Sequence, residues 1–506
     1  MTKLPTEKPR MTRMTRIAKE MNPWTLRNPR SILLPKGWRT PQRGGVWLLA
    51  GWLLLAGLGA RAVAQVSLLD TSFKVGKGAD EQVTALVVQA DQRILVGGEF
   101  NVINGCTNAY LARLEADGTV DAAFNPTGQT DGNVQCLLQQ PDSKVLVGGA
   151  FGQLLGQPRR ALARLLADGT VDGTFDASSA FGTNDCVYSL ARQDDGRLLV
   201  GCTDTETFQS RIVRVLTNGA PDSAFVCTND IHGYVMTMLP QSDGTVLFGG
   251  SISSMDGSPP GGLYRLMPDG KRDTAFDPGL ESSSVFCLVR QPDGKILVGG
   301  LLRRTTSSTS APLLRLSETL EWDNSFTTDA FDSTHFAITP WINTLLRQPD
   351  GKLILGGYFF EVGGYWRRHI VRLTSEGHVD GCFDPGLGLG SISGPMSPVR
   401  AAALQADGRI VIGGYFFGVD TAYGQRHLGR LLPQSNCDQV RVYLQGGDGA
   451  FTAATFPPGG TNYLDSSDDL TNWHPVAGGL TDPYAYNSYL QMDSTPRAFF
   501  RARQER

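Results

Sequence analysis

Very little in this chain points to chemistry. Its 506 residues hold six histidines and eight cysteines. H-E-x-x-H, G-x-S-x-G, C-x-x-C and Walker-type loops are all missing, which removes the commonest signatures of zinc proteases, α/β-hydrolases, redox dithiols and nucleotide enzymes. The glycine-rich stretch Gly386–Gly394 has no βαβ unit around it and reads as a loop. So few cysteines rule out a disulfide scaffold, though export permits a bridge or two that sequence cannot pair. No window carries a helical period, and no apolar run reaches the about 20 residues of a membrane span.

The longest such run, the fifteen residues Val46–Ala60, follows a basic segment in which residues 1–45 carry eleven Lys and Arg against Glu7 and Glu20. Ala62-Val63-Ala64 then offers a small-x-small cleavage site, so residues 1–64 are expected to be a secretory signal peptide with a long n-region, cut before Gln65. Removing twelve Lys/Arg from 46 and two Asp/Glu from 49 leaves 34 against 47, a net charge of −13. That balance excludes nucleic acid and anionic membrane surfaces, which demand a basic footprint.

What is abundant is glycine, 60 residues of it, and repetition. A glycine doublet, or Gly-Cys in the third copy, begins at Gly97, Gly148, Gly201, Gly249, Gly299, Gly356 and Gly413. A period near 50 signals a propeller or solenoid. Each copy has four strand-length segments bounded by Gly, Pro and Asp, one propeller blade's worth. In "RQPDGKILVGG" (Arg290–Gly300) Pro292 presets a turn and Gly294 closes it in the left-handed region. Gln92 and Ser143 stand at that glycine position in copies 1 and 2, at about 1–2 kcal/mol each if φ stays positive.

Four side chains recur in every copy. Gln precedes the turn at 89, 140, 193, 241, 291, 348 and 405. Arg ends the third strand at Arg113, Arg164, Arg214, Arg265, Arg315, Arg372 and Arg430. The last segment carries Asp-x-x-Phe, with Asp at Asp70, Asp121, Asp172, Asp222, Asp273, Asp323 and Asp380. Sevenfold recurrence assigns these to scaffold: Phe as inter-blade plug, Arg with Asp as a bracing ion pair. The first Asp-x-x-Phe precedes the first hairpin and the last Arg strand lacks one, so the N-terminal strand is expected to complete the seventh blade.

The pattern L-x-x-Q-P-D-G-K-I-L-V-G-G…R-L…D-G-x-x-D-x-x-F over Val66–Pro433 resembles the delta-60 repeat family, bacterial repeats thought to form β-propellers in exported proteins. The resemblance implies that fold and an extracellular setting, and brings no catalytic residues. Beyond residue 433 the period stops. Ser467-Asp468-Asp469-Leu470-Thr471-Asn472-Trp473 and Phe499-Phe500-Arg501 are similar to a C-terminal β-sandwich module of exported bacterial proteins, implying attachment or display. The expected fold is therefore all-β: residues 65–433 a seven-bladed β-propeller closed by an N-terminal strand, and 434–506 a small C-terminal β-sandwich-like domain.

One asymmetry suggests a working face. After the doublet, copies 6, 7, 1 and 2 carry aromatics: Tyr358, Phe359, Phe360, Tyr415, Phe416, Phe417, Phe100 and Phe151, with Trp366 nearby. Once the ring is latched they form one arc able to stack on sugars or hold a peptide, unless they are ordinary blade packing. His369 and His427 match each other before the third strand and read as structural. No cofactor or metal is called for; the acids at Asp465, Asp468 and Asp469 could hold Ca²⁺, but their spacing matches no known loop and they read as a solvated turn. The expected function is an exported, non-catalytic binding or surface-display scaffold for a glycan or protein. A polysaccharide hydrolase or lyase with its site at the channel mouth and a purely structural envelope protein are the alternatives.

Overall fold

The computed structural model describes residues 68–433 except 125–129, 228–229, 258–260, 308, 333–338, 384, 386–388, 390–397 and 419–425, together with the backbone of six strands between residues 441 and 505. All belong to one compact unit, Val63–Arg506. The structure is all-β; among the described residues the one helical element is a three-residue 3-10 turn, Ser178–Ala180.

Each repeat folds into an antiparallel blade. In blade 1, inner strand Val83–Val88 pairs with Ile94–Gly98, which pairs with Leu111–Leu114. The other inner strands are Val134–Gln139, Asp185–Arg192, Ile231–Pro240, Ser284–Arg290, Trp341–Arg347 and Val399–Leu404. Each packs against the inner strands before and after it, and Val399–Leu404 returns to Val83–Val88. The ring is closed. Blades 3 and 4 also join edge to edge, through Gln209 opposite His232 and Ser210 opposite Ile231.

The fourth segment corrects the expectation of four strands per blade. It contributes a single antiparallel bridge, such as Leu114 to Val120, and then turns. The Asp at its end is the cause. Asp121 Oδ1 accepts the Ala123 amide (2.9 Å) and Asp121 O accepts the Phe124 amide (3.1 Å), so the chain bends before a ladder can form.

Between blades the recurring residues act together. Arg113 Nε donates to Asp121 Oδ2 at 2.7 Å, while its Nη1 donates to Asp168 O of the next blade at 2.7 Å. Its guanidinium lies over the Phe124 ring, 4.9 Å from the centroid. A Cβ on Gly169 of the neighbouring turn would meet that ring at 2.7 Å, so the Asp-Gly turn leaves space for the plug. The doublet glycines yield space in the same way, since a Cβ on Gly97 would strike Val134 of the next inner strand.

The seam repeats this unit with the N-terminal strand in place. Leu69 bridges Leu431, Arg430 Nε donates to Asp70 Oδ2 at 2.9 Å, and Arg430 Nη1 donates to Ala116 O of blade 1 at 2.5 Å. Burial works against the Asp70 charge, but Ser72, Arg430 and Arg409 outweigh it and hold its carboxyl below the usual range.

Gln92 and Ser143 keep the left-handed conformation of the turn glycine, at φ 69° and 66°. Gln92 uses its side chain, accepting the Ala406 amide at 2.8 Å, whereas Ser143 lies in no comparable inter-blade bond among those described. Ser143→Gly is therefore expected to stabilise the fold by about 1 kcal/mol, measured by chemical denaturation. Beyond the ring the described strands form two three-stranded antiparallel sheets, Arg441–Gln445/Phe451–Thr455/Asn487–Gln491 and His474–Leu480/Thr461–Ser467/Phe499–Glu505.

Candidate functional site

The aromatic arc is mostly core, which corrects the expectation that it offers stacking faces. Phe100, Phe359 and Phe416 are 0% exposed, and Phe151 and Tyr358 are also buried. Each of the four Phe anchors a loop after the second strand. Phe100 O accepts the Tyr110 amide, and the equivalent bonds join Phe151 to Ala161, Phe359 to His369 and Phe416 to His427, at 2.7–2.9 Å. In blades 1, 2 and 6 that loop is a two-stranded side hairpin, such as Val102–Ile103 with Cys106–Thr107. Copies 3, 4 and 5 lack the Phe because their second strands run on instead, as in Leu198–Asp204 and Val246–Met255. Phe360, Tyr415 and Phe417 are half-buried against the two histidines, and the Trp366 side chain lies outside the described residues.

His369 and His427 close these loops at φ 66° and 62°, places taken by Tyr110 and Ala161 in blades 1 and 2. They stack on Tyr358 and Tyr415 at 5.5 and 5.2 Å. Burial, with nearby Arg368 and Arg426 respectively, drops both pKa values to about 4. The unfolded chain then binds protons that the folded chain refuses. Their contribution is complete above about pH 6.5 and is lost as pH falls toward 4, by roughly 3 kcal/mol each at the acid end. Thermal melts between pH 7.5 and 4.5 should show this loss, and His369→Asn with His427→Asn, which tolerate positive φ, should flatten it.

A different set of residues converges on the central channel. Every inner strand has a one-residue bulge at the same level: Thr84, Gln135, Tyr188, Met236, Phe286, Asn343 and Arg400. Bulges re-aim side chains and gather next to functional sites. The residue before each bulge is always Val or Ile, the one after always small, yet the bulge residue differs seven times. Thr84 and Asn343 are spent on bracing, donating to Val134 O and Val399 O at 2.6 and 3.2 Å.

Around this level, contacts join neighbouring blades and neighbouring strands. Gln135 Nε2 donates to Glu99 Oε1 at 3.3 Å. Tyr188 meets Tyr234 edge to face at 5.0 Å, and Trp341 stacks on Tyr358 at 4.5 Å. Glu99 of blade 1 acts electrostatically on Arg400 of blade 7 and on Cys186 and Tyr188 of blade 3. Arg400 is exposed, and desolvation lowers its guanidinium pKa against the pull of Glu99. Burial pushes the Cys186 thiol up to about 12, so it is not a nucleophile. Among the described residues no group of three or more His, Cys, Asp or Glu could hold a metal ion.

Seven segments, 89–124, 140–175, 193–225, 241–276, 291–326, 348–383 and 405–426, match the family model described as a domain of unknown function (DUF5122) beta-propeller. The chain is a seven-repeat β-propeller. The first six matches run from the repeated Gln to the plug Phe, so the inner strands of this propeller, with the variable bulge level, lie between them. No curated protein matches it. Among solved structures the propeller is similar to a protein of unknown function from Bacteroides caccae, with 14% identity and a TM-score of 0.34 over 57% of this chain and 92% of that one. It is also similar to regucalcin, a calcium-binding protein from Agrobacterium tumefaciens, with 12% identity and a TM-score of 0.32 over 73% and 92%. The Dos1 propeller matches with 10% identity and a TM-score of 0.34 over 66% and 75%. At these values the likenesses lend the propeller no function.

Proposed function

We propose that this propeller, of the delta-60 repeat kind, is an exported, non-catalytic binding module that holds a polypeptide segment at the Glu99–Arg400 mouth of its channel. The observation that carries this is the variable bulge level. A scaffold repeated seven times presents one level of seven different side chains, with a charge of each sign beside an amide and aromatic faces. Peptides offer the complements: backbone amides for Gln135, acidic and basic groups for Arg400 and Glu99, and apolar side chains for the rings. Export is supported by the signal-like residues 1–64 and by Cys382, which is disulfide-bonded, a chemistry of oxidising compartments. Asp185, the other acid that acts on Cys186, is held in an ion pair with Arg211, which speaks against a two-carboxylate hydrolase pair with Glu99.

Selection of a displayed peptide library on the chain starting at Gln65 tests the proposal. Selected peptides should bind, and Arg400→Met and Tyr188→Ala should each weaken them at least tenfold without lowering the melting temperature. Unchanged binding by both variants, or depolymerisation of any polysaccharide in a hydrolase screen, would overturn it. The N-terminal residue of the exported protein should be Gln65.

A further inference from the structure

The opposite mouth of the channel is built from different material. There the seven recurring glutamines form a collar just past the inner strands. Their backbones close the hairpins, as in Gln89 N to Arg93 O (2.8 Å) and Gln348 N to Lys352 O (2.8 Å), so the turns do not need the side-chain amides. Gln405 spends its amide between blades, accepting from Arg430 Nη1 at 2.9 Å and donating to Ala116 O at 3.3 Å. Gln241 is likewise used, donating to Leu239 O at 2.8 Å and accepting from Arg290. The other five, Gln89, Gln140, Gln193, Gln291 and Gln348, leave a buried Oε1 with no hydrogen-bond partner. A buried acceptor left unpaired costs desolvation free energy that a native fold normally recovers.

Three of the five do more than recur. Gln89, Gln140 and Gln348, exposed by only 4%, 9% and 6%, line a single cavity of about 530 Å³, within the range of small-molecule sites. Gln139, whose amide oxygen is also unpartnered, lines the same cavity. The walls between these amides are apolar, from Val88, Leu404, Pro141 and Pro349, and no charged side chain is among the lining residues. The cavity draws on blades 6, 7, 1 and 2, whereas Gln193 and Gln291 belong to blades 3 and 5 and lie outside it.

We propose that this cavity binds a neutral, hydroxyl-rich ligand of the size of one or two sugar rings, at a site separate from the peptide mouth. Hydroxyl groups both donate and accept, so they satisfy whichever end an amide presents, which a bare cation cannot do. Apolar walls suit the C–H faces of a sugar ring, and uncharged amides neither attract nor repay a charged ligand.

The test is calorimetric titration of the exported chain with glucose, galactose, mannose, maltose and cellobiose, beside glucuronate and calcium chloride. At least one neutral sugar should bind with saturation. Gln348→Leu and Gln140→Leu should each weaken it at least tenfold, while Gln193→Leu, equally unpartnered but outside the cavity, should leave the Kd within twofold. Ala90→Trp, at an exposed rim position of the cavity, should block binding without touching a glutamine. Failure of all five neutral sugars, equal weakening by Gln193→Leu, tighter binding of glucuronate or calcium, or unaltered binding in Ala90→Trp would overturn the proposal.

Discussion

Asp70→Ala is expected to destabilise the protein by about 3–5 kcal/mol, and Asp273→Ala by clearly less, although the two occupy equivalent places. Asp70 is 5% exposed and is reached by Arg430 through two nitrogens and by Arg409, each at 2.9 Å. Removing it strands a buried guanidinium, and removing one partner of a buried pair costs more than the pair is worth. It also unfastens residues 360 apart in sequence, so the seam between the first and last blades loses its inter-strand ion pair. Asp273 is paired more openly with Arg265, and Thr245 stands where blades 6 and 7 place Lys352 and Arg409 beside the Asp. The double variant Asp70→Ala/Arg430→Met should recover part of the loss, because the stranded charge is then gone. Urea denaturation of the parent and the three variants measures this, and equal costs for Asp70→Ala and Asp273→Ala would show that the latch bears no special share.

The second large effect concerns the aromatic arc. Phe359→Ala and Phe416→Ala are each expected to cost about 3–5 kcal/mol, the usual range for a buried phenylalanine. Phe359 is packed among Val362, Tyr365 and Leu355, and Phe416 among Ile412, Val399 and Phe383, with no exposed area on either ring. Binding should change only through this loss of stability. A variant that melts like the parent yet fails to bind would return the arc to the working surface.

The architecture was legible because turn chemistry and ion pairs are written seven times. Pro292, Gly294 and the Arg–Asp couples name their own structural duties, and the displaced first Asp-x-x-Phe announces the latch. The fourth strand was over-read: its composition suits a strand, but the Asp side chain caps its own turn after one bridge. The aromatic arc misled for a related reason. A Phe confined to four copies looks like a surface specialisation, yet it marks the copies whose second strand ends early and whose following loop needs an anchor.

The channel level was missed although its signal is in the chain. Five residues before each repeated Gln, the side chain changes in every copy between a constant Val or Ile and a constant small residue. Composition alone does not reveal that a bulge sits there, because a bulge is a property of register between two strands. The glutamine collar shows the converse limit. Recurrence marked all seven as scaffold; Gln89, Gln140 and Gln348 stand apart as the ones that both line the cavity and leave an amide oxygen unpartnered.

The closed ring is tested most directly by amide hydrogen exchange over residues 68–75. Asp70 N–H donates to Arg430 O at 2.8 Å and Leu432 N–H to Leu68 O at 2.7 Å. This segment and strand Leu428–Leu431 should therefore share one slow exchange rate, close to that of the other blades. Exchange of residues 68–75 at the rate of an unstructured chain, with blade 7 still protected, would contradict closure by the N-terminal strand.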